Sequence, residues 1–439
     1  MRYRVPPLAP RAAALAVVWV VVSGTATPAR QRTTNPAVAY RLSADDERFL
    51  EDFSRRTFAF FWEQADPKTG IIRDRSTTEG GPANENAKNI GSIASVGFGL
   101  SGLCIAAARG WQPRADAIAR AEITLRWFAD AMPQERGWFY HFVQIDTGAR
   151  AWQSELSSID SALLLAGVLT VRRCFADDPD VVRYADAIYR RVDFQWMLAG
   201  DTSLLAHGWK PESGFLRSRW DHYCELMILY LLGIASPTHP IPVESWRAWT
   251  RPITRFQEYA YVGGPDPLFV HQYSHAWIDF RKRRDFGRDW FENSVTATRA
   301  HRAFCLSLAS EFPHYSAQIW GITASDSRKG YVAWGGPPRH PAIDGSVVPA
   351  AVAGSLMFAP DITVPSLREM HRRFGDRIYG RYGFADAFHP TAGWVNPDVI
   401  GIDLGISLLS AENLRSGRVW QWFMANPEMP AALDRTGVR

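Results

Sequence analysis

The sequence predicts an all-α fold in which helical hairpins close into a toroid, the (α/α)6 or six-hairpin barrel. Helical patterns recur along the whole chain, whereas the alternation typical of strands is scarce. Segments that are apolar nearly all round alternate with amphipathic ones, as buried inner helices and peripheral outer helices would. No Pro-rich, Ser/Gly-rich or charged linker divides the chain, so these helices belong to one domain.

The predicted helices follow one another with boundaries set by caps and by hydrophobic period. The first begins at Ser43, an N-cap residue that three acids follow in the first turn. Residues 92–108 and 159–170 predict inner helices, and residues 114–131 and 180–198, charged on one side, predict outer ones. The full set covers residues 43–64, 92–109, 114–131, 158–175, 180–198, 220–234, 243–251, 269–283, 290–311, 345–358, 366–374 and 404–414.

Long loops rich in Gly, Trp, Asp and Arg separate these helices. Long loops inside a domain are usually functional. In a toroid, the loops that enter the inner helices meet at one end, so we expect them to line a funnel. The loops cover residues 66–90, 136–156, 199–219, 316–343 and 375–403.

Residues 1–29 predict a signal peptide for export. Three arginines precede the apolar run at residues 12–22, and the small residues Gly24, Thr25 and Ala26 fit a cleavage rule. The apolar run is too short to span a bilayer. We therefore expect a periplasmic or secreted protein with a single catalytic domain at residues 30–439.

Charge and motifs argue against several functions. Without the predicted signal peptide, the formal net charge falls from +4 to +1, so we expect no nucleic-acid partner and no stable membrane association. We also expect a monomer. CxxC, HExxH, Walker and Rossmann motifs are absent, so we expect no metal and no cofactor. The His271 and His275 pair has metal-ligand spacing, but we interpret it as a polar helix face. We interpret all four cysteines as buried thiols: Cys104, Cys174, Cys224 and Cys305.

Carboxylates near predicted helix starts are the strongest chemical signal. Asp221 and Glu225 are four residues apart, so one helical face would carry both. Each acid alone could be a helix cap or a solvated side chain. Several acids that meet in one funnel could instead supply the acid and the base of sugar hydrolysis. The other acids at such positions are Glu155, Asp160, Asp326 and Asp403.

A series of longer motifs runs through the chain. It comprises Ser-Ile-Asp-Ser-Ala-Leu-Leu-Leu-Ala-Gly at 158–167, Trp-Asp-His-Tyr at 220–223, His-Gln-Tyr-Ser-His-Ala-Trp-Ile-Asp-Phe-Arg at 271–281, Trp-Phe-Glu-Asn-Ser at 290–294, Thr-Ala-Ser-Asp at 323–326, Tyr-Gly-Phe-Ala-Asp-Ala-Phe at 382–388 and Gly-Ile-Asp-Leu-Gly at 401–405. These motifs resemble the glycoamylase-like domain family, which includes the bacterial endo-β-1,2-glucanases. The resemblance implies an (α/α)6 toroid, inverting hydrolysis without a metal, and β-1,2-glucan as substrate. We therefore expect the monomer to bind a glucan substrate.

On this reading Glu225 is the general acid, with a pKa raised by aromatic and apolar neighbours. Asp160 or Asp403 would position or deprotonate the attacking water, and Asp221 and Glu155 would bind sugar hydroxyls. The predicted substrate-binding residues are Arg75, Trp152, His207, Trp209, Tyr223, Tyr273, His275, Trp277, Asp326 and Trp394.

Two other functions remain open from the sequence. A polysaccharide lyase on a similar toroid would need a Tyr or His base and basic residues that neutralise a uronate. A non-catalytic oligosaccharide-binding protein would keep the toroid but lack a working acid.

Overall fold

Fourteen α-helices account for most of the secondary structure in the computed structural model, which describes residues 40–439. The predicted signal peptide lies outside these described residues. The helices are α1 Ala44–Glu63, α2 Ile93–Arg109, α3 Arg114–Asp130, α4 Ser158–Cys174, α5 Pro179–Arg191, α6 Met227–Ala235, α7 Ser245–Ala248, α8 Tyr273–Trp277, α9 Trp290–Ser307, α10 Pro349–Ala353, α11 Pro360–Ile378, α12 Gly401–Arg415, α13 Arg418–Met424 and α14 Glu428–Thr436. Short 3-10 helices cover Trp196–Leu198 and Leu268–His271.

Side-chain caps fix the starts of several helices, and the sequence predicts the one at Ser43. Ser43 accepts a hydrogen bond from the backbone N–H of Asp46, whose carboxylate accepts one from Ser43 in return. Ser157 likewise accepts from the backbone N–H of Asp160 at the start of α4. Each cap satisfies a backbone N–H that the first turn of a helix would otherwise leave without a partner.

Helices α2 and α4 run side by side and form the most buried part of the fold. A Cβ atom at Gly97 or Gly167 would collide with the backbone of the other helix, so glycine allows this approach. Seven residues further along both helices, a disulfide joins Cys104 and Cys174, whose Cα atoms are 6.0 Å apart. Because Gly97 lies next to Gly167, and Cys104 next to Cys174, the two helices run in the same direction. The prediction of four buried thiols is therefore wrong for this pair and holds for the remaining two, Cys224 and Cys305.

The amphipathic helices α3 and α5 pack outside this pair. α3 contacts α2, and α5 contacts α4, each through one buried face that small and apolar side chains form. Helix α12, also buried along most of its length, packs on the other side of α2 and contacts α8 and α10. Residues Arg41–Arg439 form one compact unit. Within the described residues, no helix is both long enough and apolar enough to cross a membrane.

Short antiparallel strands tie together the loops that precede the buried helices. The pairing of Arg75–Thr77 with Asp398–Ile400 joins the loops before α2 and α12. The pairing of Ile90–Ser92 with Phe142–Gln144 joins those before α2 and α4. Leu156–Ser157, Gly208–Lys210 and Gly214–Phe215 form a three-stranded sheet that joins the loops before α4 and α6. These long loops therefore meet at one end of the fold.

The remaining strands form local hairpins. They are Gln134–Glu135 with Trp138–Phe139, Ile253–Phe256 with Tyr259–Val262, Arg284–Asp285 with Arg288–Asp289, Ser325–Ser327 with Gly330–Val332, Tyr379–Gly380 with Gly383–Phe384, and Phe388–His389 with Trp394–Val395.

Several predicted helices are shorter in the structure. The segment predicted at 220–234 is helical only from Met227, because the backbone before it bonds elsewhere. Tyr223 donates its N–H to the carbonyl of Thr250, which in turn donates to the carbonyl of Asp221. The segment predicted at 269–283 is a 3-10 turn followed by the five-residue α8. Helices α13 and α14 were not predicted.

Candidate active site

A cavity of about 400 Å³ opens where the long loops meet. This volume lies within the range that small-molecule sites occupy. Its lining combines carboxylates with aromatic and aliphatic side chains from the loops before α2, α4, α6 and α12 and from the hairpin at 325–332. The lining residues are Asp74, Arg75, Ser92, His141, Phe142, Trp152, Ile159, Asp160, Leu163, Glu225, Phe269, Tyr273, Ala324, Tyr331, Ile400, Ile402 and Asp403.

Glu225 lies two residues before α6 and lines this cavity. The hydroxyl of Ser274 donates to its carbonyl oxygen at 2.7 Å and fixes the backbone at this point. Burial raises the pKa of the Glu225 carboxyl to about 7, and the negative charges of Asp266 and Asp160 add to the effect. Because this pKa lies near neutral pH, a large fraction of Glu225 carboxyls is protonated there and could donate a proton to a substrate.

Asp160, which lies near Glu225, and Glu155 both contact the imidazole ring of His141. The Nδ1 atom of His141 lies 3.1 Å from Glu155 Oε1, and its Nε2 atom lies 3.5 Å from Asp160 Oδ1. Burial lowers the pKa of His141, but the two carboxylates outweigh burial and raise it overall. The hydrogen bond from His141 lowers the pKa of Glu155 to about 2. Ser157 donates to Asp160 at 2.5 Å. We call Glu225, Asp160, His141 and Glu155 the Glu225 group.

A second set of acids surrounds Arg75. Its guanidinium donates to Asp74 at 3.0 Å and to Asp326 at 2.8 Å. The side-chain amide of Asn396 also donates to Asp326, at 3.1 Å, and to Asp386, at 3.3 Å. Arg75 is therefore held from two sides while it still lines the cavity.

Asp386 and Asp403 are buried carboxyls that lie close enough to influence each other's pKa. Burial, with further contributions from nearby acids, raises the pKa of Asp386 to about 6 and that of Asp403 well above its ordinary value. Asp386 also accepts the backbone N–H of Asp326 at 2.9 Å. Of the two, Asp403 faces the main cavity. We call Arg75, Asp74, Asp326, Asp386 and Asp403 the Arg75 group.

The structure brings together many of the residues that the sequence singled out. Glu155 and Asp326 do not line the cavity themselves. They bind His141 and Arg75, respectively, which do line it. The predicted residues that line the cavity directly are Glu225, Asp160, Asp403, Arg75, Trp152 and Tyr273.

Asp221 does not join them, and the idea that it shares a helical face with Glu225 is wrong. Both residues precede α6, and the backbone between them is not helical. Asp221 is exposed and pairs with His222, whose Nδ1 lies 2.7 Å from its carboxylate. We therefore withdraw Asp221 as a ligand of sugar hydroxyls.

Three further predicted contacts are withdrawn because their side chains are fully buried away from the cavity. Tyr223 contacts His271 through its hydroxyl and stacks on Trp290. His275 bonds to Ser294, and Trp277 donates its indole N–H to Ser101. All three lie in the hydrophobic core or against it.

His207, Trp209 and Trp394 also lie outside the lining of the cavity. The ring of His207 stacks on Trp220, with centroids 3.9 Å apart. Trp209 packs on Trp196, and Trp394 packs in a separate small cluster behind strand Phe388–His389. Their half-buried side chains support loops, and we withdraw them as sugar contacts.

Sequence reasoning missed four residues of the site: Asp74, His141, Tyr331 and Asp386. Asp386 lies inside the motif at 382–388, which could have marked it. His141 and Asp74 lie in the long loops expected to line the funnel, but no spacing relates them to their partners. Across residues 40–439, no group of three or more His, Cys, Asp or Glu side chains is arranged to hold a metal ion.

Comparison with known proteins places this chain among sugar-cleaving relatives. The Glycoamylase family model, described as "Putative glucoamylase", matches residues 217–427. The resemblance to the glycoamylase-like family is confirmed. A curated relative from Parabacteroides distasonis, an exo β-1,2-glucooligosaccharide sophorohydrolase acting at the non-reducing end, is 25% identical over 92% of this chain. The chain spans about 59% of that relative's length.

Two solved structures are similar over nearly their full length. An endo-β-1,2-glucanase from Chitinophaga pinensis, in complex with sophorotriose and glucose, has 26% identity and a TM-score of 0.83. The alignment covers 90% of this chain and 98% of that one. A structure from Bacteroides caccae, also described as a "putative glucoamylase", has 27% identity and a TM-score of 0.82. It covers 90% of this chain and 99% of its own.

Proposed function

We propose that this chain is an inverting glycoside hydrolase that cleaves β-1,2-glucan, with Glu225 as the general acid. The observation that carries the proposal is the raised pKa of Glu225, about 7, in a cavity that Asp74, Arg75 and Asp403 of the Arg75 group also line. A carboxyl that keeps its proton near neutral pH can donate it to a glycosidic oxygen. The names of the relatives support the linkage.

We assign the general base to Asp403. An inverting enzyme needs its base across the substrate from the acid, at roughly 6.5–9.5 Å, so that a water fits between base and sugar. Helix α6, which follows Glu225, packs against α4, whereas α12, which carries Asp403, packs against α2, α8 and α10. Asp160 lies on α4 beside Glu225 and contributes to its pKa. Asp403 is therefore the better candidate for the far side.

The chemical step then balances as follows. Glu225 gives its proton to the glycosidic oxygen while the bond from that oxygen to the anomeric carbon breaks. A water attacks the anomeric carbon from the opposite face and gives one proton to Asp403. Asp403 can accept this proton only in molecules where its own carboxyl is ionised. Its neighbour Asp386, whose pKa is also raised, can carry the proton of the pair in those molecules. Proton exchange with solvent restores the starting state.

We also propose that the helices close into the full (α/α)6 toroid. The inner set would be α2, α4, α6, α8, α10 and α12, in that order around the axis. The parallel course of α2 and α4 and the contact of α12 with α2 support a closed ring. The similarity to the Chitinophaga structure over 98% of its length supports the same arrangement.

We propose endo action on the glucan chain. The relative named as exo-acting is considerably longer than this chain, whereas the endo-acting relative is matched over nearly its whole length. A lyase is disfavoured, because the acids that line the cavity would repel a uronate. Export to the periplasm or the medium remains a proposal that rests on residues 1–29, and N-terminal sequencing of the protein recovered outside the cytoplasm would test it.

The test is product analysis on a panel of linear glucans with β-1,2, β-1,3, β-1,4 and α-1,4 linkages. We expect cleavage of the β-1,2 polymer alone, with sophoro-oligosaccharides of mixed length at early times and an inverted anomer by NMR. The Glu225→Gln variant from the same purification controls for contaminating hydrolases. Sophorose as the sole early product would indicate exo action, and no cleavage of the β-1,2 polymer would overturn the proposed linkage.

A further inference from the structure

Two exposed aromatic side chains flank the cavity. The described residues contain four large hydrophobic side chains that are strongly exposed: Trp152, Ile253, Phe286 and Tyr331. Trp152 is 50% exposed and Tyr331 53%, and these two line the cavity. Single exposed hydrophobic residues are common on protein surfaces, but two exposed aromatic rings that line one cavity are typical of a ligand-binding site.

Trp152 is held on a strained turn. It and Gln153 both have φ of 51°, a left-handed backbone that residues other than glycine rarely adopt. Arg150 braces this turn by donating to the carbonyl oxygens of Gln153, at 2.8 Å, and Ser154, at 2.5 Å. Glu212 in turn pairs with Arg150. The loop therefore presents the indole in one place at an energetic cost, which is typical of binding sites.

Trp152 lies on the Glu225 side of the cavity. Its ring is 5.0 Å from that of Phe142, which stacks on His141 with centroids 3.8 Å apart. Through His141 this aromatic series reaches Asp160. Phe142 and His141 thus separate the indole from Asp160, so a sugar ring on Trp152 would lie on the Glu225 side but away from the cleaved bond.

Tyr331 lies on the Arg75 side. It is directly opposite Asp326 in the hairpin of Ser325–Ser327 and Gly330–Val332. Because opposed residues of a hairpin share one face, the phenol lies on the face from which Asp326 binds Arg75. The loop of Trp152 precedes α4 and this hairpin precedes α10, and these two helices are opposite one another in the proposed toroid.

We propose that Trp152 and Tyr331 are sugar-stacking residues on opposite rims of the cavity and that they set the preference for long glucan chains. The proposal deepens the proposed function and rests on it. Each ring presents an apolar face to the C–H face of a glucose unit, one on either side of the cleaved bond. A short oligosaccharide that fills only the centre of the cavity would reach neither ring.

The test compares Trp152→Ala and Tyr331→Ala with wild type on a long and a short sophoro-oligosaccharide. We expect KM for the long substrate to rise about tenfold in each variant, equivalent to about 1.4 kcal/mol, while values for the short substrate stay within about twofold. Trp152→Phe and Tyr331→Phe keep a ring and should resemble wild type. Phe286→Ala is the matched control, because Phe286 is also an exposed aromatic residue with φ of 50° but lies outside the cavity lining.

Equal changes on both substrates, or the same change in Phe286→Ala, would overturn the stacking proposal and leave the hydrolase proposal intact. Titration calorimetry in a Glu225→Gln background tests the stacking proposal separately from the hydrolase proposal, because it measures binding without turnover. There, removal of either ring should weaken binding of the long glucan about tenfold. If wild type cleaved no β-1,2-glucan, titration with the other glucans of the panel would test the rings on whichever one binds. If none binds, both proposals fail.

Discussion

The Glu225 group and the Arg75 group place similar carboxyls in different surroundings. Glu225 forms no salt bridge within residues 40–439, and burial next to other acids raises its pKa to about 7. In the Arg75 group a guanidinium compensates part of the charge, and burial raises the pKa of both Asp386 and Asp403. One side of the cavity thus raises the pKa of a single glutamate, and the other places its carboxyls around a guanidinium that favours negative charge. Environment, more than residue type, separates the acid from the base.

Removal of the proton donor should have the largest effect. Glu225→Gln keeps the shape but cannot donate, so we expect kcat on β-1,2-glucan to fall by about 10³-fold. An aryl glycoside with a leaving group that needs no protonation should be cleaved by the variant at close to the wild-type rate. Asp221→Asn is the matched control and should stay within about twofold of wild type, since Asp221 lies outside the cavity. A comparable loss in Asp221→Asn would contradict the assignment.

Removal of the base should rank next. Asp403→Asn leaves the water without an acceptor, and we expect kcat to fall by about 10²-fold. Asp160→Asn, which alters a carboxylate on the acid side, should cost only about tenfold through its effect on Glu225. Azide, which attacks without deprotonation, should restore turnover in Asp403→Asn alone. Rescue of Asp160→Asn by azide would move the base to Asp160.

The two glutamates of the Glu225 group should affect stability with opposite signs. The pKa of Glu225 is higher in the folded protein than its ordinary 4.5, so the carboxylate destabilises the fold as pH rises above that value. Glu225→Gln should therefore raise the free energy of unfolding at pH 8 by about 2–3 kcal/mol and leave it unchanged near pH 4.

The pKa of Glu155 is instead lowered to about 2, so its contribution is present above pH 4.5 and disappears as pH falls toward 2. Glu155→Gln should lower the free energy of unfolding at pH 8 by about 2 kcal/mol. Urea unfolding at the two pH values measures both variants. The same sign in both would show that the two environments do not differ as described.

Much of this arrangement follows from the sequence, and the exceptions have physical causes. Hydrophobic period and caps predicted α1, α2, α4 and α12 closely, because local interactions fix those helices. Glu225, Asp160 and Asp403 precede or begin buried helices, so their place in the cavity could be predicted as well.

Partners that come from distant loops could not be predicted. His141 reaches Glu155 and Asp160 only after the loop before α4 has folded back on itself. Asp221 has helical spacing from Glu225, but the carbonyl of Asp221 bonds to Thr250, and this tertiary contact prevents the helix. The spacing of residues along the sequence gives no information about such tertiary contacts.

The smallest expected effect tests how His141 influences the pKa of Glu225 within the Glu225 group. His141→Gln removes the cation that offsets Glu155 and Asp160, so more negative charge would face Glu225 and raise its pKa further. The descending limb of kcat/KM against pH should then move upward by up to about one pH unit, because more of the Glu225 carboxyl stays protonated above pH 7. His222→Gln, which removes a histidine paired with an exposed aspartate, should leave the limb in place. A large loss of activity without movement of the limb would mean that His141 contacts the substrate itself, and the Glu225 group would then bind sugar as well as tune the acid.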